Sequence, residues 1–281
     1  MKKYLGKMLI AAAVLSIQLF GGTAFAADKR SVTEVADGVY RLQNNFHYSM
    51  VVVTGEGPVV VDPINADAAL WIRSEVAKLS DKPISHLIYS HSHGDHASGG
   101  AVLAAGANVI AQANAPDKID GVEPTERFDD YHEFKVGDKT FELTWLGEGH
   151  GQDLIAVIVR PSNVAFITDV ASPKRLPWRN MGGANVDKWI DQIKKIETLD
   201  FEIFAPAHGN VGVKADATDV RIYMEEIKDA VLAGLKEGKS VEELKEVITM
   251  DAYKDWQQYA DWLPLNIEGN ANYLISSGQV N

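Results

Sequence analysis

The stretch His91-Ser92-His93-Gly94-Asp95-His96 brings three imidazoles and a carboxylate into one short piece of chain. Side chains two apart in an extended segment share a face. His91 and His93 are therefore predicted to point the same way if the strand geometry of residues 84–90 runs past its end. Gly94 permits a sharp turn. Asp95 and His96 then fall where the small-residue run Ala97-Ser98-Gly99-Gly100-Ala101 is expected to start a helix, which sends them in a second direction. A hexapeptide built this way offers ligands to two neighbouring cations. Imidazole nitrogen with carboxylate oxygen suits Zn²⁺, and Fe, Mn or Co have compatible chemistry. The chain has no cysteine, so thiolate ligation is excluded.

The elements that must carry this stretch follow from the apolar pattern. Residues 39–43, 49–54 and 58–62 read as strands, with Gly55-Glu56-Gly57 turning tightly between the last two. Leu70, Trp71, Val76 and Leu79 predict an amphipathic helix over 67–80. Further strands are expected at 108–112, 154–159, 164–168 and 201–205, with a hairpin over 131–147 that turns at Gly137-Asp138. Trp189, Ile190, Ile193 and Ile196 mark one face of a helix over 186–199. From about residue 215 the chain reads as helical, with Val220, Met224, Ile227, Val231 and Leu235 at the helix period. Ser240 and Glu243 have the spacing of a capping box. Strand groups and covering helices occur twice, which implies a layered α/β domain.

The spacing His-x-His-x-Asp-His resembles the signature of the metallo-β-lactamase superfamily, and the rest of the chain keeps that family's order. The resemblance implies a four-layer αββα sandwich with a helical C-terminal extension and metals at one edge between the sheets. It also implies the remaining ligands. His150 lies in the glycine-rich loop Gly147-Glu148-Gly149-His150-Gly151, where it would complete a first site with His91 and His93. Asp169 ends an apolar strand, and His208 follows another in Ala205-Pro206-Ala207-His208. Both would join Asp95 and His96 at a second site, with Asp169 bridging. Asp62, at a strand end beside Pro63, is either the outer-shell support of a ligating histidine or a loop cap.

The resemblance implies the reaction as well. Two Zn²⁺ ions lower the pKa of a shared water, and the hydroxide attacks a carbonyl-type substrate such as an ester, thioester, lactone or β-lactam. Asp95 is the expected catalytic carboxylate, holding an ion and handling the nucleophile's proton. The bridging aspartate places the chain nearer glyoxalase II and lactonase-like members than the cysteine-ligand β-lactamases. Departures are visible: Gly151 follows His150, Thr168 precedes Asp169, and Val170-Ala171-Ser172 supplies no tyrosine. Two alternatives share the ligand pattern. One is a mononuclear iron oxidoreductase like the sulfur dioxygenases, and the other is a non-catalytic protein stabilised by its metal.

Candidate substrate contacts lie on two loops. His47, in Asn44-Asn45-Phe46-His47-Tyr48, is on a loop that borders the pocket in this fold. Residues 172–181 hold Lys174, Arg175, Trp178 and Arg179 with no acid, enough to grip an anionic group against an apolar wall. Trp256, Tyr259 and Trp262 are candidates for aromatic lining or core.

Composition sets the address and the partners. Lys2, Lys3 and Lys7 precede an apolar run from Met8 to Phe20 and then Ala24-Phe25-Ala26, the order of a secretory signal peptide cleaved after Ala26. The run is shorter than the ~20 residues that span a bilayer, so no stable anchor is expected after cleavage. The destination is the bacterial periplasm or the exterior, and residues 27–281 form the mature domain. Loss of three lysines takes the formal charge from −12 to −15. Such acidity repels nucleic acid and leaves a small molecule as the expected partner.

Overall fold

Valine-rich strands buried on both sides dictate the centre of the molecule. The computed structural model describes residues 29–280; the expected leader lies outside them. One sheet has seven strands in sequence order: β1 (Arg30–Ala36), β2 (Val39–Asn44), β3 (His47–Val52), β4 (Val59–Val61), β5 (His86–Ile88), β6 (Asn108–Gln112) and β7 (Glu126–Phe128). It is antiparallel from β1 to β4 and parallel from β4 to β7. The second has six strands: β8 (Tyr131–Val136), β9 (Lys139–Trp145), β10 (Ile155–Arg160), β11 (Val164–Ile167), β12 (Ile203–Pro206) and β13 (Gly212–Val213). They run in space β13-β12-β11-β10-β9-β8.

Period-two alternation sends successive residues to different layers. In β4, Val59 and Val61 enter the core between the sheets, while Val60 faces α1 (Ala66–Leu79). In β10, Ile155, Val157 and Val159 point between the sheets. Ala156 and Ile158 point out, towards the layer of α3 (Val186–Thr198), α4 (Lys214–Lys236) and α6 (Tyr259–Ser276). Helix, sheet, sheet and helix are thus stacked in four layers. α4 belongs to the outer layer against α3, and α5 (Val241–Val247) and α6 pack on it in turn. α5 has the expected capping box: the Ser240 amide donates to Glu243 Oε2 (2.8 Å) and the Glu243 amide to Ser240 Oγ (3.3 Å).

Several elements differ from expectation. β1 is an edge strand whose polar sequence, Arg-Ser-Val-Thr-Glu-Val-Ala, carries no alternation, because most of its residues are exposed. β7 and β13 are also unforeseen, being too short to show a period. α1 buries Ala68, Ala69, Ile72 and Val76, whereas Leu70 is half exposed, so its buried stripe runs through alanines. The helix after the hexapeptide, α2 (Gly94–Ala97), is a single turn. The glycines behind it serve close packing instead. Gly99 sits at φ +81°, where a Cβ would come within 2.5 Å of the Ala66 amide nitrogen. Finally, β3 begins at His47 and not at 49. The β2–β3 turn is only Asn45-Phe46, with Asn44 paired to His47 and Asn45 left-handed at φ 57°.

Candidate metal centre

Chemistry-bearing side chains emerge where five separate segments reach the same edge of the sandwich. His91 follows β5, Asp169 follows β11, His208 follows β12, His150 rides the loop between β9 and β10, and His47 opens β3. His91 and His96 are fully buried and the Asp169 side chain is 9% exposed, while that of Asp95 is 54% exposed. The site therefore has a closed floor and one open side.

The donors fall into two sets. In one, ligand atoms of His91, His93, His150 and Asp169 lie within 4.8 Å of one another; in the other, those of His47, Asp95, His96 and His208 do. Asp169 joins them. Its Oδ2 is 3.3 Å from His91 Nε2, 3.2 Å from His150 Nε2 and 3.3 Å from His96 Nε2, and its Oδ1 is 3.0 Å from His208 Nε2. Among the described residues, His91 Nε2, His96 Nε2 and His150 Nε2 are buried without a hydrogen-bond partner. Orphaned buried nitrogens are costly, and all three converge on one carboxylate. This donor set fits metal ions: borderline-soft nitrogens with a shared oxygen ligand.

Outer contacts fix how the rings face. The Asp62 carboxylate, fully buried, accepts from the Ser90 amide (2.8 Å) and from Ser90 Oγ (2.6 Å). A hydroxyl has one proton, so Ser90 Oγ must accept from His91 Nδ1 (3.1 Å), leaving His91 Nε2 free to face Asp169. Thr168 Oγ1 lies 3.1 Å from Ser90 Oγ and 3.3 Å from His91 Nδ1. Asp62 Oδ2 also stands 3.5 Å from His96 Nδ1, so this residue both caps the strand end and backs a histidine. His208 Nδ1 donates to the Phe46 carbonyl (2.8 Å), which turns its Nε2 inward.

Helix α3 holds two of the loops. Gln192, fully buried, accepts from the His150 amide (2.8 Å) and donates to the Gly147 carbonyl (2.7 Å). The chain fits there only as glycine, since a Cβ on Gly149 would meet Gln192 Oε1 at 2.3 Å. Trp189 Nε1 donates to the Val170 carbonyl (2.8 Å), beside Asp169, and its ring packs edge-on to His150 at 4.7 Å. Sequence reading missed both roles. The available signal was a glutamine interrupting the apolar face formed by Trp189, Ile193 and Ile196. His47, expected only as a substrate contact, stands among the metal donors with Nε2 3.2 Å from Asp95 Oδ2.

Charge in the site is mutually dependent. Burial pushes the Asp169 carboxyl up, but His96, His150, His208 and His91 outweigh it and hold the group well below the usual carboxylate range. Burial disfavours the imidazolium of His96, yet Asp169 and Asp62 hold its pKa well above normal. His93 is pushed down to about 4 by burial and by His91 and His150, so its ring is neutral and able to ligate. The hydrogen bond from His47 lowers Asp95 despite its partial burial.

A cavity of about 760 Å³ opens over both donor sets. Arg175 and Trp178 line it, with Phe46, Leu176, Met181 and Trp262. The Arg175 guanidinium lies 4.8 Å from the Trp262 ring centroid, and burial lowers its pKa against the pull of Asp169. Lys174 and Arg179 are not part of the lining, contrary to expectation. Both are exposed, and the carbonyls of both are tied to the C-terminal region, Lys174 to the Gln257 amide (2.8 Å) and Arg179 to Asn266 Nδ2 (2.5 Å). Trp256 and Tyr259 pack on the outer core, so Trp262 alone of the three aromatic candidates reaches the cavity.

Residues 43–208 match the family described as the metallo-beta-lactamase superfamily, and the chain belongs to it. Fold and donor clusters together define a hydrolase-like protein able to hold metal. The chain is 26% identical to a metallo-beta-lactamase type 2 from Elizabethkingia meningoseptica over 204 residues, 66% of this chain and 81% of that protein. It is 24% identical over 188 residues to the alpha subunit of 2,4-dinitroanisole O-demethylase from Nocardioides sp. (strain JS1661), covering 63% of this chain and 55% of the subunit. A solved metallo-beta-lactamase from Pontibacter korlensis superposes with a TM-score of 0.63 at 18% identity, over 70% of this chain and 99% of that one. The stereoselective inverting sec-alkylsulfatase Pisa1 from Pseudomonas sp. gives 0.69 at 14% identity, over 88% of this chain and 50% of that one. The chain thus spans about half the length of the demethylase subunit and of the sulfatase. Activities in the superfamily accordingly extend beyond lactam hydrolysis.

Proposed function

We propose that this protein is an exported dinuclear zinc hydrolase acting on a small, anionic carbonyl-type substrate: an ester, thioester, lactone or β-lactam. The observation that carries this reading is the single carboxylate of Asp169, in reach of four histidines from both donor sets. In this reading His91, His93 and His150 would hold one ion and Asp95, His96 and His208 the other, with Asp169 within reach of both sets. Bound Zn²⁺ would supply a nucleophile at neutral pH and polarise the electrophile. Asp95, which lines the cavity with a half-exposed side chain, would be placed to accept a proton there.

Arg175 supports an anionic substrate. Its guanidinium borders the cavity, and no carboxylate of the described residues lies within ion-pair distance of it. A partly buried, unpaired cation is satisfied by a ligand anion. Leu176, Trp178 and Trp262 give the same ligand an apolar wall. Export to the periplasm or exterior rests on residues 1–26, and the acidic charge of −12 argues against a nucleic-acid partner.

The test is elemental analysis of protein purified without added metal, followed by a panel of esters, lactones, thioesters, a chromogenic cephalosporin, an alkyl sulfate and a persulfide, each with and without chelator. About two Zn per chain and chelator-sensitive hydrolysis are expected. One Fe and no Zn, with oxidation of a sulfur compound, would replace this reading with the iron oxidoreductase.

A further inference from the structure

We infer that His47 is a protein ligand of the second ion, so that this site is completed by the tip of the β2–β3 hairpin. The inference rests on the two-ion reading and adds to it a residue that the family's order of ligands does not contain. The ligand atoms of His47, Asp95, His96 and His208 all lie within 4.8 Å of one another. A tetrahedral cation with ligand bonds of about 2 Å sets its ligand atoms roughly 3.3 Å apart. His47 Nε2 already faces Asp95 Oδ2 at 3.2 Å, and its ring stands edge-on to those of His208 (4.6 Å) and His96 (5.5 Å).

Backbone anchoring makes this placement more than the accident of a loop. On one side of His47, the Phe46 carbonyl accepts from His208 Nδ1 (2.8 Å); on the other, the Tyr48 amide donates to the Ala207 carbonyl (2.9 Å). Arg41 clamps the same unit from behind. It lies 3.6 Å from the Tyr48 ring centroid and donates to the carbonyls of Pro206 (2.5 Å) and Gly209 (3.1 Å). Residues 46–48 and 206–209 are therefore tied to one another, and His47 and His208 are presented as a pair. His47 also borders the cavity, and its Nε2 is directed at Asp95.

The experiment is a titration of the metal-free full-length protein with Co²⁺ in competition with a chromogenic chelator, following the visible spectrum of the bound ion. The wild type is expected to take up two ions. His47→Ala should bind the first unchanged and the second ~100-fold or more weakly, since even outer-shell losses cost 10–100-fold. Added imidazole should restore the lost affinity and the lost spectral band. His47→Gln should behave as His47→Ala does without imidazole. Two ions of wild-type affinity and spectrum in His47→Ala and His47→Gln would overturn the ligand role while leaving the two-ion reading intact. A wild type that takes up only one ion overturns both.

Discussion

Gln192→Met is the sharpest probe of how the fold builds the centre. Methionine keeps the length and volume of the side chain but accepts no amide proton and donates none. Two backbone groups, the His150 amide and the Gly147 carbonyl, then lose their partners. Leaving a buried backbone group unpaired costs about 1–3 kcal/mol. Both bonds lie in part-buried surroundings, so the low end applies to each, for a total of about 2 kcal/mol. In a chain of this size that lowers the melting temperature by roughly 4–8 °C. The same change frees the loop bearing His150, so affinity at the first metal site should fall about 10–100-fold, with the second site spared. Urea unfolding of the metal-free protein measures the first effect and chelator competition the second. If stability falls as calculated and the first site keeps its affinity, Gln192 merely packs α3 on the sheet and does not position His150.

Other substitutions separate the remaining roles. Asp169→Asn removes the anion shared by the two sets, and metal content after dialysis should drop at both sites; retention of either ion at full occupancy would contradict the bridge. Arg175→Ala should raise KM about 10–100-fold for anionic substrates, the loss expected for a charged hydrogen-bonded contact of about 1.5–3 kcal/mol, with kcat and neutral substrates little changed. A third variant tests pH dependence away from the metals. Burial raises the Asp187 carboxyl, but hydrogen bonds from Lys228, Tyr273 and Gln279 outweigh it and hold the pKa below normal. A carboxyl lowered by folding stabilises above the unfolded value near ~3.9 and loses that contribution as pH falls through its folded value. The stability gap between wild type and Asp187→Asn should therefore be full at neutral pH and shrink below about pH 4; a gap constant from neutral to acid pH would contradict it.

The sequence made the layers and the clustered ligands legible for one reason: both rest on buried strands, whose apolar runs stop where a functional residue begins. Asp169 after Val164–Ile167 and His208 after Ile203–Pro206 are cases of that rule. Whatever depended on side-chain direction was hidden. The basic loop carries three cations, and only the folded structure shows Arg175 lining the cavity while Lys174 and Arg179 lie exposed. His47 looks like a loop residue in the sequence because the two-residue turn Asn45-Phe46 has no glycine to announce it. β1 was missed since an edge strand with exposed faces needs no apolar alternation.

The contact between Ser90 and Thr168 joins the end of β5 to the end of β11, one hydroxyl from each sheet. Neither residue can be exchanged alone without leaving Asp62, His91 or the opposite hydroxyl short of a partner. The two positions form a coupled pair across the sandwich, and a double-mutant cycle on them should be non-additive. This small polar lock sits where the two halves of the domain meet.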